Sequence, residues 1–176
     1  LLKNKKPESH MVWEKDNWQI YENKKALPRI FLAQTYVVEK EKNIIIQKLF
    51  SANFDVRNSV ILEEQPPIPS NKDVFLPGSI SLVSYDANKV VVKTNAETSS
   101  MLFLSDNYFP GWHVTVDGKE EKIYRANYTF RAVPVPAGEH TVMFMYYPSS
   151  FDVGLKVTVV SLFVLAVLTV FVTIRQ

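Results

Sequence analysis

The sequence contains no cysteine, so no disulfide framework, zinc ribbon or thiol nucleophile can be built from it. Glycine is scarce, five in 176 residues. No P-loop, G-x-G-x-x-G turn or G-x-S-x-G elbow occurs, which leaves phosphate cradles and serine-hydrolase sites without material. The three histidines, His10, His113 and His140, share none of the i, i+2 or i, i+4 spacings that bring two imidazoles to one ion, and neither a metal nor a cofactor is expected. No charge sign dominates: 20 Lys and Arg stand against 18 Asp and Glu, and the longest basic blocks are Lys5-Lys6 and Lys24-Lys25. Without an electrostatic footprint for a phosphate backbone, nucleic acid is not an expected partner. The adjacent carboxylates Glu63-Glu64 and Glu120-Glu121 point to opposite faces of a strand. Neither pair can flank one bond as acid and nucleophile, so both are expected to be solvated charges and no catalytic residue is assigned.

What the sequence does have is one long apolar run. A mean hydropathy of −0.05 conceals residues 157–174, uncharged, with 14 apolar side chains and four Ser or Thr between Lys156 and Arg175. As a helix these residues rise about 27 Å, slightly under the ~30 Å hydrocarbon core, and a snorkelling Lys156 extends the span. The many Val and Thr would favour a strand in water, but the run outlasts any ordinary strand, and in lipid the backbone must bond to itself. A transmembrane helix over residues 155–175 is therefore expected, with the lipid bilayer as a partner from Val157 to Ile174. Arg175 favours a cytoplasmic C-terminus and an extracytoplasmic remainder. The chain starts at Leu1 without a signal peptide and reads as a piece of a longer protein.

The remainder divides by pattern. Residues 1–17 form a polar lead-in, with Leu1-Leu2 as the stub of a preceding membrane helix. Residues 18–64 read as strand, helix, strand: an entry strand from Trp18, a nine-residue buried strand over 30–38, and a helix of two to three turns carrying Ile44, Ile45, Leu49 and Phe50, with Phe54 one turn on. Residues 65–78 are a proline-rich extended link, since proline cannot donate to a central ladder. Residues 79–150 hold short alternating strands at regular spacing, including a hairpin through Asp117-Gly118, where both turn positions favour positive φ. The expected fold is mainly β: an antiparallel, jelly-roll-like sandwich with one short helix, followed by the membrane helix.

One loop concentrates aromatic and polar groups: Asp106-Asn107-Tyr108-Phe109-Pro110-Gly111-Trp112. Rings that cover the apolar C–H faces of a sugar, beside amide and carboxylate groups that meet its hydroxyls, equip a surface for glycan binding. The alternative is that Trp112 and Tyr108 are core or corner residues of the sandwich. Asn127-Tyr128-Thr129 is a formal N-glycosylation sequon, read as a chance occurrence within a strand.

The loop together with Val116-Asp117-Gly118-Lys119, the run from Tyr124 to His140, and Tyr147-Pro148 resembles the C-terminal region of YfhO-type bacterial membrane proteins. Upstream, Tyr21-Glu22-Asn23, Leu27-Pro28-Arg29, Phe54-Asp55 and Leu62-Glu63-Glu64 extend the resemblance over nearly the whole chain. It implies a parent of many transmembrane helices, of the glycosyltransferase C class, moving a sugar from a polyprenyl-phosphate donor to a cell-envelope acceptor such as teichoic acid in the bacterial cell membrane. The catalytic carboxylate of that class lies in an early extracytoplasmic loop of the parent, outside this chain. The expected role is therefore a non-catalytic extracytoplasmic domain that covers the active site or positions the acceptor, with Asp106, Tyr108, Trp112, Asn127 and Arg131 as candidate glycan contacts. The rival expectation is a purely structural or protein-interaction sandwich with no glycan binding.

Overall fold

The structure is a computed structural model that describes residues 9–70 and 78–175. The stub at Leu1-Leu2, the first half of the lead-in and most of the 71–78 end of the link lie outside the described residues. Thirteen strands and two helices are described. Strands β1 (Ser9–Lys15) and β2 (Trp18–Asn23) pair only with each other, as a hairpin whose residues are all exposed.

Five strands form the first layer of the sandwich, in the order β10 (Lys119–Glu121), β9 (Trp112–Val116), β13 (Gly138–Tyr146), β7 (Lys89–Ala96), β6 (Ser79–Asp86). One face of this sheet is buried and the other open, so β7 alternates strictly, with Val90, Val92, Thr94 and Ala96 inward. The anticipated hairpin is present: Asp117 and Gly118 take φ of 52° and 80°, and β9 and β10 pair antiparallel around them.

The second sheet has six strands, in the order β3 (Ile30–Ala33), β8 (Ser100–Leu104), β12 (Phe130–Val135), β11 (Tyr124–Ala126), β5 (Ser59–Leu62), β4 (Thr35–Val38). Its edge strands β3 and β4 are consecutive in the chain, separated by Gln34 alone. A single residue reaches only about 7 Å, so the sheet must roll until its two edges meet end to end. The nine-residue strand expected over 30–38 is therefore two strands, broken at Gln34: β3 pairs with β8, and β4 pairs with β5. The β4–β5 pair is parallel, with helix α1 (Lys42–Leu49) crossing over between its strands; β4, β5 and α1 were not expected to form such a unit. The helix ends before Phe54.

Rolling gives this sheet two apolar faces. Phe31, Tyr36, Val60, Leu62, Met101 and Phe103 cluster on one. Leu102, Leu104, Val133 and Val135 meet Val90, Val92, Val114, Val142 and Phe144 of the five-stranded sheet on the other. Coverage on both sides explains why β8 is buried at every position and reads as unbroken Met101-Leu102-Phe103-Leu104. Residues 65–70 contain no strand and lie against Tyr36, whose hydroxyl donates to the Ile68 carbonyl at 2.8 Å while its backbone N–H donates to Ser70 Oγ at 3.1 Å. Glu64 is a solvated charge as expected, beside a similarly exposed Lys122, whereas Glu63 is partly buried near Arg125.

Helix α2 (Ser149–Ile174) follows β13 after two residues and is apolar on all sides, with no residue buried. It begins earlier than the expected span, and its 26 residues rise about 39 Å, longer than the hydrocarbon core. The four hydroxyl residues of its uncharged run, residues 157–174, satisfy themselves: Thr158, Ser161, Thr169 and Thr173 each donate to the carbonyl four residues back, at 2.8–2.9 Å. No bare hydroxyl is left to face lipid.

At the end of the sandwich away from α2, His140 Nδ1 lies 2.6 Å from Asp117 Oδ2, and Thr141 N–H donates to Asp117 Oδ1 at 2.8 Å. The bond to Asp117 raises the His140 pKa above its ordinary value, and the bond from His140 lowers that of Asp117. A raised histidine stabilises the fold fully below the unfolded value of about 6.5 and stops doing so as pH rises through the folded value. A depressed aspartate stabilises it above about 3.9 and stops as pH falls through its folded value. The difference in Tm between the wild-type chain and His140→Gln should therefore be largest between about pH 4 and 6.5. Melts across pH test this, and a difference that does not vary with pH contradicts the pairing.

Candidate functional site

The site lies at the α2 end of the sandwich and is assembled from segments far apart in sequence. Asp106 leaves the end of β8 in a loop held by two backbone bonds: Ser105 N–H donates to the Arg29 carbonyl at 2.9 Å and Tyr108 N–H to the Thr129 carbonyl at 2.6 Å. Its carboxylate accepts from three side chains through four donor atoms. Arg29 donates through Nε and Nη2 to Oδ1 at 3.0 and 2.9 Å, Arg131 donates through Nη2 to Oδ2 at 3.0 Å, and the Tyr85 hydroxyl lies 2.8–2.9 Å from both oxygens.

Aromatic rings flank both guanidiniums. Arg29 lies over Tyr85 at 4.5 Å, and Arg131 over Trp112 at 4.1 Å with Phe144 at 5.5 Å on its inner side. Arg131 is the largest fully buried side chain among the described residues, its side chain 2% exposed. Its Nε and Nη1 have no hydrogen-bond partner among the described residues, and ring faces serve in place of acceptors. Loss of hydration lowers the Arg131 pKa, with Asp106 and then Tyr85 acting against that shift. Burial raises the Tyr85 pKa and its bond to Asp106 raises it further, whereas Arg29, in solvent, is raised by the Asp106 bond.

Around this cluster opens a cleft of about 660 Å³, lined among others by Arg29, Tyr85, Asn107, Phe109, Trp112 and Tyr146. Of the residues singled out from sequence, Asp106, Trp112 and Arg131 meet here. Trp112 is neither free nor fully buried: it packs on the intersheet core, beside Tyr146 at 5.4 Å, and keeps part of its surface in the cleft. Tyr108 is also partly exposed, but it stacks under Arg125 at 4.8 Å, outside the cleft.

Asn127 stands in a turn, not in a strand, with φ of 48°. It exchanges both its backbone N–H and its Oδ1 with Ile61, accepting at Oδ1 from Ile61 N–H at 2.8 Å. It also lines a separate apolar groove of about 340 Å³ with Leu27, Phe31, Phe50 and Phe130. Arg29 and Tyr85 escaped the sequence reading of the site, although Arg29 sat in the Leu27-Pro28-Arg29 element. Among the described residues no group of His, Asp or Glu is arranged to hold a metal ion.

These features define a β-sandwich carried on an apolar helix of membrane-span length, with a charged and aromatic cleft where the two join. Residues 76–158 match the family described as "Bacterial membrane protein YfhO". The chain is also 25% identical over 131 residues to "Uncharacterized protein YfhO" of Bacillus subtilis (strain 168), an alignment covering 73% of this chain and 15% of that protein. Both matches name one family and support reading the chain as a fragment similar to part of a YfhO-type membrane protein. It spans only about 15% of the length of the curated relative. No solved structure matches. The family and the apolar helix agree on a membrane location.

The Asp106–Arg131 pair makes an asymmetric prediction. Asp106→Ala leaves a buried guanidinium uncompensated and should cost about 3–5 kcal/mol, whereas Arg131→Met removes the charge along with its need for a partner and should cost less. In urea titrations of the detergent-solubilised chain, Asp106→Ala should be the less stable variant, and adding Arg131→Met to it should restore stability. Equal losses that simply add would show that the two groups are not coupled.

Proposed function

We propose that the chain is the non-catalytic extracytoplasmic domain of a polytopic membrane glycosyltransferase. That enzyme uses a polyprenyl-phosphate sugar donor in cell-envelope glycosylation of the teichoic-acid type, and this domain covers its active site or positions the glycan acceptor. The observation carrying the reading is the cleft: Phe109, Trp112 and Tyr146 offer ring faces beside the Asp106 carboxylate, the Asn107 amide and the Arg29 guanidinium. Ring faces and hydroxyl-binding groups side by side suit a polyhydroxylated ligand. The cleft adjoins the first turn of α2, which suits an acceptor handled next to membrane-embedded chemistry.

In this reading the sandwich lies outside the cytoplasm and Arg175 marks the cytoplasmic end of α2. The remaining transmembrane part of the parent is the principal partner. Trp112 and Asp106 make the main contacts, Arg131 orients both from beneath, and Tyr108 and Asn127 contribute from neighbouring surfaces. A second reading, a structural or protein-interaction domain without glycan binding, draws on the burial of Arg131 and on the packing of Trp112 against the core.

The two readings separate in a titration. In a chain carrying Trp13→Phe and Trp18→Phe, Trp112 is the sole tryptophan, and teichoic-acid or glycan fragments should change its emission and shift the NMR signals of Asp106 and Trp112. Silence of both at saturating glycan favours the structural reading.

A further inference from the structure

The join between sandwich and helix has a composition of its own. Phe109, Tyr147 and Phe151 are 59%, 51% and 68% exposed, large side chains left mostly uncovered by the described residues, although one face of Tyr147 stacks on His113 at 4.0 Å. They are close together because the loop is locked onto the start of α2. Tyr147 N–H donates to the Gly111 carbonyl at 2.9 Å, and Phe109 lies 6.4 Å from the Tyr146 ring. Gly111, at φ +96°, fits so closely that a Cβ would stand 3.0 Å from both Pro148 Cβ and Tyr146 Cε2. The Tyr147–Gly111 bond and this close packing hold the loop to the start of α2, so Phe109 stands near the level of its first turn.

The length of α2 fixes that level. Its rise of about 39 Å, about 37 Å along the bilayer normal at an ordinary tilt of ~20°, exceeds the ~30 Å hydrocarbon core by about 7 Å, the depth of one headgroup layer. With Ile174 at the far boundary, Ser149 emerges at the outer edge of the near headgroup layer. Phe151 then lies within that layer, and Phe109, Tyr146 and Tyr147 lie at its surface. This is the level at which aromatic residues collect on membrane proteins, an apolar ring in the lipid and a polar edge in the water. The exposed Arg29 guanidinium stands at the same end of the sandwich and offers anionic headgroups a counter-charge.

We propose that Phe109, Tyr146, Tyr147 and Phe151 form a seat in the phospholipid headgroup layer, which holds the foot of the sandwich on the membrane and opens the Asp106 cleft at the lipid surface. The continuity of the seat with the membrane helix commits it to lipid. The inference holds whether or not the cleft binds glycan, since it concerns where the cleft is and not what fills it. β13 carries the chain about 26 Å from Tyr146 to Gly138, so the Asp117–His140 end is the end of the sandwich farthest from the seat.

The absence of native cysteine makes the test clean. Single variants Phe109→Cys, Tyr147→Cys and Ala137→Cys are labelled with a small fluorophore and the full chain is placed in lipid nanodiscs, whose two faces are both accessible. Each is quenched in turn by lipids bearing a nitroxide on the headgroup and by aqueous iodide. All three positions are exposed, so the substitutions spare the core, and far-UV circular dichroism checks the fold. Labels at 109 and 147 should lose most of their emission to the nitroxide lipid and be shielded several-fold from iodide relative to 137. If 109 and 147 behave like 137, the sandwich stands clear of the bilayer and the seat is disproved. Shielding from both quenchers would place protein over these residues and disprove it equally.

Discussion

Three side chains converge on the carboxylate of Asp106, and the α2 end of the molecule is organised by that convergence. Arg131 comes from the rolled sheet, Tyr85 from the five-stranded sheet, and Arg29 from the segment entering β3. Beyond its bond to Asp106, Arg131 reaches Trp112 and Phe144, both on the five-stranded sheet. One carboxylate and one buried guanidinium thus tie the two sheets across a core that is otherwise Val, Leu and Phe. Ion pairs of this kind add little net stability over a well-packed apolar alternative, because desolvating both charges costs about what their attraction returns. Their effect here is to allow one arrangement: an Arg131 turned any other way would be a buried charge without a partner.

From that arrangement the cleft follows. Asp106 fixes the loop that presents Phe109 and Trp112, and Gly111 presses the end of that loop against Pro148 and Tyr146. The chain then passes into α2 within two residues of β13. Sheet, loop and helix meet with no flexible linker between them, so the bilayer level set by the apolar helix is passed on to the cleft. A sandwich on a long glycine-rich tether would have no such fixed height.

Much of this was legible in the sequence, for local reasons. The Asp117-Gly118 turn, the short strands of residues 79–150 and the self-contained apolar run each depend on residues a few positions apart, and each is where its pattern indicated. The break at Gln34 was not legible, since nine consecutive β-formers carry no sign that residues 30–33 and 35–38 belong to opposite edges of one rolled sheet. The site was half legible. Asp106 and Trp112 sit in one loop and could be read together, but Arg29 is 77 residues from Asp106 and Tyr85 is 21 residues away. Nothing local marks Arg131 as buried, because Phe130-Arg131-Ala132-Val133 reads as an alternating strand with arginine on the wet side; its burial depends on Trp112 and Phe144 arriving from the other sheet. Asn127 looked like a contact or a sequon, and its side chain is occupied with the backbone of Ile61.

The most direct measurement of the organising role of Asp106 is amide hydrogen exchange at Tyr108 and Tyr147, whose N–H groups hold the loop to Thr129 and to Gly111. In the membrane-reconstituted wild-type chain both should exchange as slowly as the interior of β13, and in Asp106→Asn both should accelerate together while β7 stays protected. Fast exchange at either amide in the wild type, or rates unmoved by Asp106→Asn, would contradict a cleft and helix junction held in place by that carboxylate.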